Sequence, residues 1–183
     1  SQGCRPISDI HSVTNAQDNV IFELNGKPAF DVFCEDIGQV LSRNLGKVAN
    51  YVHVALPVSG DDSGDYLVRN IVGVDPQNKV IAVSERVARG DRVIFVKRDG
   101  QTAMEDLNRM LKDLKNKFSA PPKAALYYSC VARGPNLFGP QSIELKAVQA
   151  AIGKQTPLVG FFANGEISKN RLYGYTGVLT LFY

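Results

Sequence analysis

Tryptophan is absent from this chain, and histidine is scarce, with only His11 and His53. Two histidines are too few for a His-rich metal site. The three cysteines, Cys4, Cys34 and Cys130, are odd in number, widely spaced and form no C-x-x-C pair. A disulfide framework and a zinc site are therefore not expected, and a reducing, cytoplasmic setting fits. No apolar run approaches the roughly 20 residues that a membrane helix needs. The opening Ser1-Gln2-Gly3-Cys4-Arg5-Pro6 has no apolar core of a signal peptide. Its start on Ser1 in place of Met suggests a fragment. No Walker loop, no G-x-G-x-x-G after a strand, no G-x-S-x-G elbow and no H-E-x-x-H occurs, so nucleotide binding and hydrolase chemistry lack support. The net charge of +3, from 21 basic and 18 acidic residues, is too small to argue for nucleic acid.

What is present is the composition of an ordinary globular protein, 44% hydrophobic and 21% charged over 183 residues. The first eighteen residues are polar and aperiodic and read as a connector. Order is expected from residue 19, with a strand at 19–24 closed by Asn25-Gly26. A helix then starts at Pro28, carrying Phe33, Ile37, Val40, Leu41 and Leu45 at helical spacing and stopping at Gly46. Residues 51–97 hold four β-branched runs split by short turns, the pattern of antiparallel meanders. One of those turns, 59–64, reads as a solvated loop. Thr102 and Glu105 form a capping box before a helix over 103–118, with Leu107 and Leu111 on its apolar face. A buried strand at 124–131, a helix at 141–152 and strands at 158–163 and 172–183 complete the chain. The expected fold is α+β, a largely antiparallel sheet packed by about three helices in one domain, 19–183. Its core should include Ile37, Leu41, Leu107, Leu111, Leu126, Val159 and Leu179.

Polar groups gather at the ends of two apolar runs in the last third. Cys130 and Arg133 follow one run, Asn164 and Glu166 the other. The Arg133 fork suits a carboxylate, Glu166 an ammonium, and Asn164 and Thr176 can add neutral hydrogen bonds. Phe161, Phe162 and Tyr175 are candidates for an apolar wall, although strand alternation lets only one of the two phenylalanines face a given cavity. The set fits a small polar ligand such as an amino acid. The alternative is that Arg133 and Glu166 pair with each other or with backbone. Cys130 reads as an inert core thiol on the site wall, and a cysteine-dependent enzyme is a further alternative only if Cys130 and His53 meet within hydrogen-bond reach. No catalytic residue, no metal and no cofactor is assigned, and the protein is not expected to be an enzyme.

Several blocks resemble the C-terminal domain of the FIST family, the sensory domains named for F-box and intracellular signal transduction proteins. They are Asn25-Gly26-Lys27-Pro28-Ala29, Val68-Arg69-Asn70-Ile71-Val72-Gly73-Val74-Asp75, Ser129-Cys130-Val131-Ala132-Arg133, Gly160-Phe161-Phe162-Ala163-Asn164-Gly165-Glu166-Ile167 and Gly174-Tyr175-Thr176-Gly177-Val178-Leu179. The opening Gly3-Cys4-Arg5-Pro6-Ile7 is similar to the tail of the family's N-terminal half. The resemblance implies a small-ligand sensory domain, proposed to take amino acids or similar metabolites. It implies as partners an N-terminal FIST half and a signalling output domain. Some family members bind haem, so a haem-binding sensor is a further alternative, for which His53, a lone histidine on a strand, is a weak signal of an axial ligand. F-box members use the region for substrate selection, so a protein-interaction module is the alternative function.

Overall fold

Short β-branched runs separated by tight turns make most of the first half strand. The structure, a computed structural model, describes residues 1–42, 48, 51–58, 65–117 and 120–183, with the side chains of 39–42 outside that description. The expectations for Val40, Leu41, Leu45, Gly46, the 59–64 turn and Phe118 fall outside it. In order the elements are β1 (Cys4–Pro6), β2 (His11–Gln17), β3 (Val20–Leu24), β4 (Lys27–Pro28), α1 (Ala29–Ser42), β5 (Val52–Pro57), β6 (Tyr66–Asp75), β7 (Val80–Val83) and β8 (Arg92–Arg98). They continue as α2 (Gly100–Lys117), β9 (Ala124–Cys130), α3 (Gly134–Phe138), α4 (Ile143–Ile152), β10 (Leu158–Ala163), β11 (Glu166–Ser168), β12 (Arg171–Tyr173) and β13 (Gly177–Phe182). The class is α+β with a large antiparallel sheet. Two compact units, Pro6–Arg98 and Ser1–Arg5 with Asp99–Tyr183, stand where one domain was expected.

In the Pro6–Arg98 unit the strands close on themselves. β2 pairs with β3 and β8, β7 with β3 and β6, and β5 with β6 and β8, all antiparallel. Closure into this six-stranded barrel leaves none of these strands with a free edge. Val13, Ile21, Leu24, Phe33, Val54, Ile81 and Phe95 fill its core. Phe33 of α1 packs against Phe95 at a tilt, with ring centroids 5.0 Å apart and planes at 56°. The helix is interrupted at Gly38, whose φ of 77° is open to glycine but strained for other residues.

The first eighteen residues correct the connector reading, because they carry β1 and β2. In β2 the inward positions include His11 and Val13, while Ser12 and Asn15 face out. Two register shifts break the alternation further. So few apolar residues mark the strand that its period of two is invisible in sequence. His11 is buried and satisfied, with Nε2 2.7 Å from Asp36 Oδ2 and Nδ1 2.9 Å from Asn25 Nδ2.

In the Asp99–Tyr183 unit, β9 is the middle strand, parallel to β10 and antiparallel to β13. α2 and α4 cover one face through Leu107, Leu111, Val148 and Ile152, packed on Ala125 and Tyr127. α2 begins earlier than the capping box placed it. Asp99 Oδ1 accepts the Thr102 N–H at 3.0 Å, so Asp99 is the cap and Thr102 lies inside the helix. Two core assignments need correction. Val159 is 64% exposed and Leu126 only half-buried, because both point to the sheet face opposite the helices. The last run divides into β12 and β13 around Tyr175, whose φ is 62°. Among the described residues no helix is long and apolar enough to cross a membrane.

Candidate functional site

β9 brings its alternate residues Tyr127 and Ser129 to the helix-covered face, next to α4. On α4 the buried row is Glu144, Val148 and Ile152, one helical turn apart each time. A carboxylate thus stands in an apolar stripe, and it is buried at 4% exposure. Arg133, at the turn between β9 and α3, supplies the counter-charge with 0% exposure. Its Nε donates to Glu144 Oε1 at 2.7 Å and its outer nitrogen Nη2 lies 2.5 Å from the same oxygen. Tyr127 Oη donates to Glu144 Oε1 at 2.7 Å, and Ser129 Oγ to Oε2 at 2.9 Å. The Arg133 guanidinium also lies 5.4 Å from the Phe138 ring centroid. Burial pushes the Tyr127 phenol well above its ordinary range; the neighbouring Glu144 charge adds to the rise, while Arg133 opposes it.

This cluster underlies a recess of about 460 Å³. Phe138, Ile143, Leu145, Val159, Phe161 and Phe162 contribute to its apolar wall, and Tyr127, Ser129, Ser142 and Glu144 to its polar lining. That is the usual composition of a small-molecule site, an apolar cavity with a few placed polar groups. Gly134 lets the wall close, since any Cβ there would run into the Phe162 ring.

None of the six residues singled out for ligand binding lines this recess. Arg133 does hold a carboxylate, and it is Glu144's. Glu166 is buried and accepts from the Thr176 hydroxyl, while its other oxygen, Oε1, has no hydrogen-bond partner. Burial raises the Glu166 pKa, with Thr176 and the Arg133 charge opposing the rise. The Tyr175 carbonyl accepts from Arg133 at 3.4 Å, and the Thr176 carbonyl accepts the Cys130 N–H at 2.9 Å. Cys130 is 5% exposed, and Asn164 is exposed. Arg133, Glu166, Tyr175, Thr176 and Cys130 are thus linked at one end of the sheet, and Asn164 stands outside that set. Both histidines belong to the other unit.

Glu144 and Tyr127 were missed. The legible signal was the i, i+4, i+8 row of Glu144, Val148 and Ile152, a charge at an apolar position. His53 is 3% exposed within the wall of the barrel, and burial together with the Arg98 charge lowers its pKa to about 4. So enclosed a side chain presents no open face to a haem. Among the described residues no three His, Cys, Asp or Glu side chains gather as a metal site.

The described residues thus form a closed barrel unit and an α+β unit, the second with a recess over a buried ion pair. The sequence model of the FIST C domain matches residues 29–169, and the chain belongs to that family. An uncharacterized protein of Mycobacterium tuberculosis is 35% identical over all of this chain and 49% of its own length. An uncharacterized protein of Mycobacterium bovis is 30% identical, again over all of this chain and 49% of its own length. The chain therefore spans about half the length of these relatives. No solved structure matches it.

Proposed function

We propose that this chain is the small-ligand-binding, non-catalytic sensory module of a cytoplasmic signal transduction protein. The observation that carries the reading is the recess of about 460 Å³ with the Glu144 carboxylate and the hydroxyl residues Tyr127, Ser129 and Ser142 in its lining. The volume lies within the roughly 300–1,000 Å³ of small-molecule sites. Among the described lining residues the charged side chain is Glu144, so the favoured ligand carries an amine, as an amino acid does. Arg133 enters the reading as the counter-ion that orients Glu144. Cys130, Tyr175, Thr176 and Glu166 brace the sheet end around Arg133, and Asn164 is free to meet a ligand or partner from outside.

A thermal-shift screen of amino acids and small amines tests this. A ligand at about a hundred times its dissociation constant adds roughly 2.7 kcal/mol of stability. Leu145→Lys, at a recess position 47% exposed, should keep the fold and abolish the shift. A screen without a stabilising compound, or a shift that survives Leu145→Lys, would overturn the reading. The second reading, a protein-interaction module, is favoured by the apolar pair at the middle of the β11–β12 hairpin, where Ile167 is 78% and Leu172 53% exposed.

A further inference from the structure

Parallel strands joined through helices are ordinarily covered on both faces, because both faces are apolar. The β10–β9–β13 sheet is covered on one. Its helix-packed face carries Ala125, Tyr127 and Ser129, each no more than 5% exposed. The register places Leu126 beside Val159 and Thr180, and Tyr128 beside Phe161 and Val178, on the opposite face. There Phe161 is 66% exposed and Phe182 48%. Tyr128 and Phe161 pack edge to face at 5.0 Å, forming an ordered apolar platform. None of these described residues is charged, and the hydroxyls of Thr180 and Tyr128 are their polar groups.

Dimensions select the occupant. Three strands about 4.8 Å apart and six residues at about 3.3 Å each make a face of about 14 by 20 Å. That is about 300 Å² on each side, well under the roughly 800 Å² per partner of a stable interface between free chains. A helix about 10 Å wide and about 14 residues long covers it. Tethering within one polypeptide raises effective concentration, which lets so small a contact form. The relatives reach about twice the length of this chain, so they hold chain enough to supply such a helix.

We propose that the open β10–β9–β13 face seats an amphipathic helix from the part of a FIST protein that lies outside these 183 residues. At the β10 edge this face shares Val159 and Phe161 with the lining of the recess, whereas Thr180 and Phe182 of β13 lie outside it, so the two readings are separated at β13.

Cysteine labelling tests it. Phe182→Cys, and separately Thr180→Cys, are made in this chain and at the aligned positions of the full-length Mycobacterium tuberculosis relative. Rates of iodoacetamide modification are read by peptide mass spectrometry and normalised to those in denaturant. In this chain alone both sites should react at close to the denatured rate. In the full-length relative both should react at least tenfold more slowly at every protein concentration. Equal rates in the two proteins would overturn the proposal, as would slow labelling in this chain alone. Protection that disappears on dilution would assign the face to a second copy and overturn it equally.

Discussion

A buried arginine survives only where its charge and its donors are met, and Arg133 meets both through Glu144. Removing one partner leaves the other charge buried and uncompensated. Arg133→Ala and Glu144→Ala should each lose about 3–5 kcal/mol in urea denaturation, whereas Arg133→Met with Glu144→Leu should lose less than either single change. Single variants within about 1 kcal/mol of the parent would show that water reaches the pair. Glu166 poses the opposite case. Its folded pKa is raised by burial, so the charged form destabilises the native state as pH rises through that value. Glu166→Gln keeps an acceptor for Thr176 and should stabilise the protein at pH 7, with the gain shrinking in acid. Loss of stability at pH 7 would instead mean that the charge itself is used. His53 gives a second pH signature. Its pKa of about 4 lies below the ordinary 6.5, so the unfolded chain takes the proton first as pH falls. Stability is therefore whole above pH 6.5 and declines towards pH 4, by up to about 3 kcal/mol from this group. His53→Gln should flatten that part of the profile, and an unchanged slope would assign it to other groups.

At the scale of elements, helix starts and strand contacts are set by single positions. Asp99 caps α2, and Asp99→Ala should lower stability by about 1 kcal/mol, whereas Thr102→Ala, inside the helix, should not show a capping loss. Gly160 sits in β10 directly against β9, where a Cβ would run into the Tyr127 carbonyl. Gly160→Ala should therefore cost about 1–3 kcal/mol, the range of overpacked sites, and lower the melting temperature. An unshifted melting temperature would mean that the two strands part without loss. The strands themselves were readable wherever apolar residues dominate. β7 and β10 lie where their β-branched and aromatic runs put them, at Val80–Val83 and Leu158–Ala163. β2 was not, because its inward side chains include a histidine and its register shifts twice.

At the scale of the whole molecule, the Pro6–Arg98 unit has a closed barrel and a core of its own. A fragment of residues 6–98 should unfold cooperatively with a β-rich circular dichroism spectrum, and a fragment that is disordered would show that the barrel needs residues 99–183. The sequence, through local periodicity and turn chemistry, determined most strands, the three longer helices and the α+β class, because these depend on neighbours along the chain. It also placed Arg133 at the end of a buried strand, and family membership was legible in short motifs that survive divergence. Only the tertiary structure decided what Arg133 holds. Residues 133 and 144 meet because α4 turns its buried row towards β9, a matter of helix phase and docking that spacing alone does not carry. The same is true of Val159. Its hydrophobicity predicts burial, but which face of a strand receives the helices depends on the path of the chain between β9 and β10, so a residue suited to a core stands in the open.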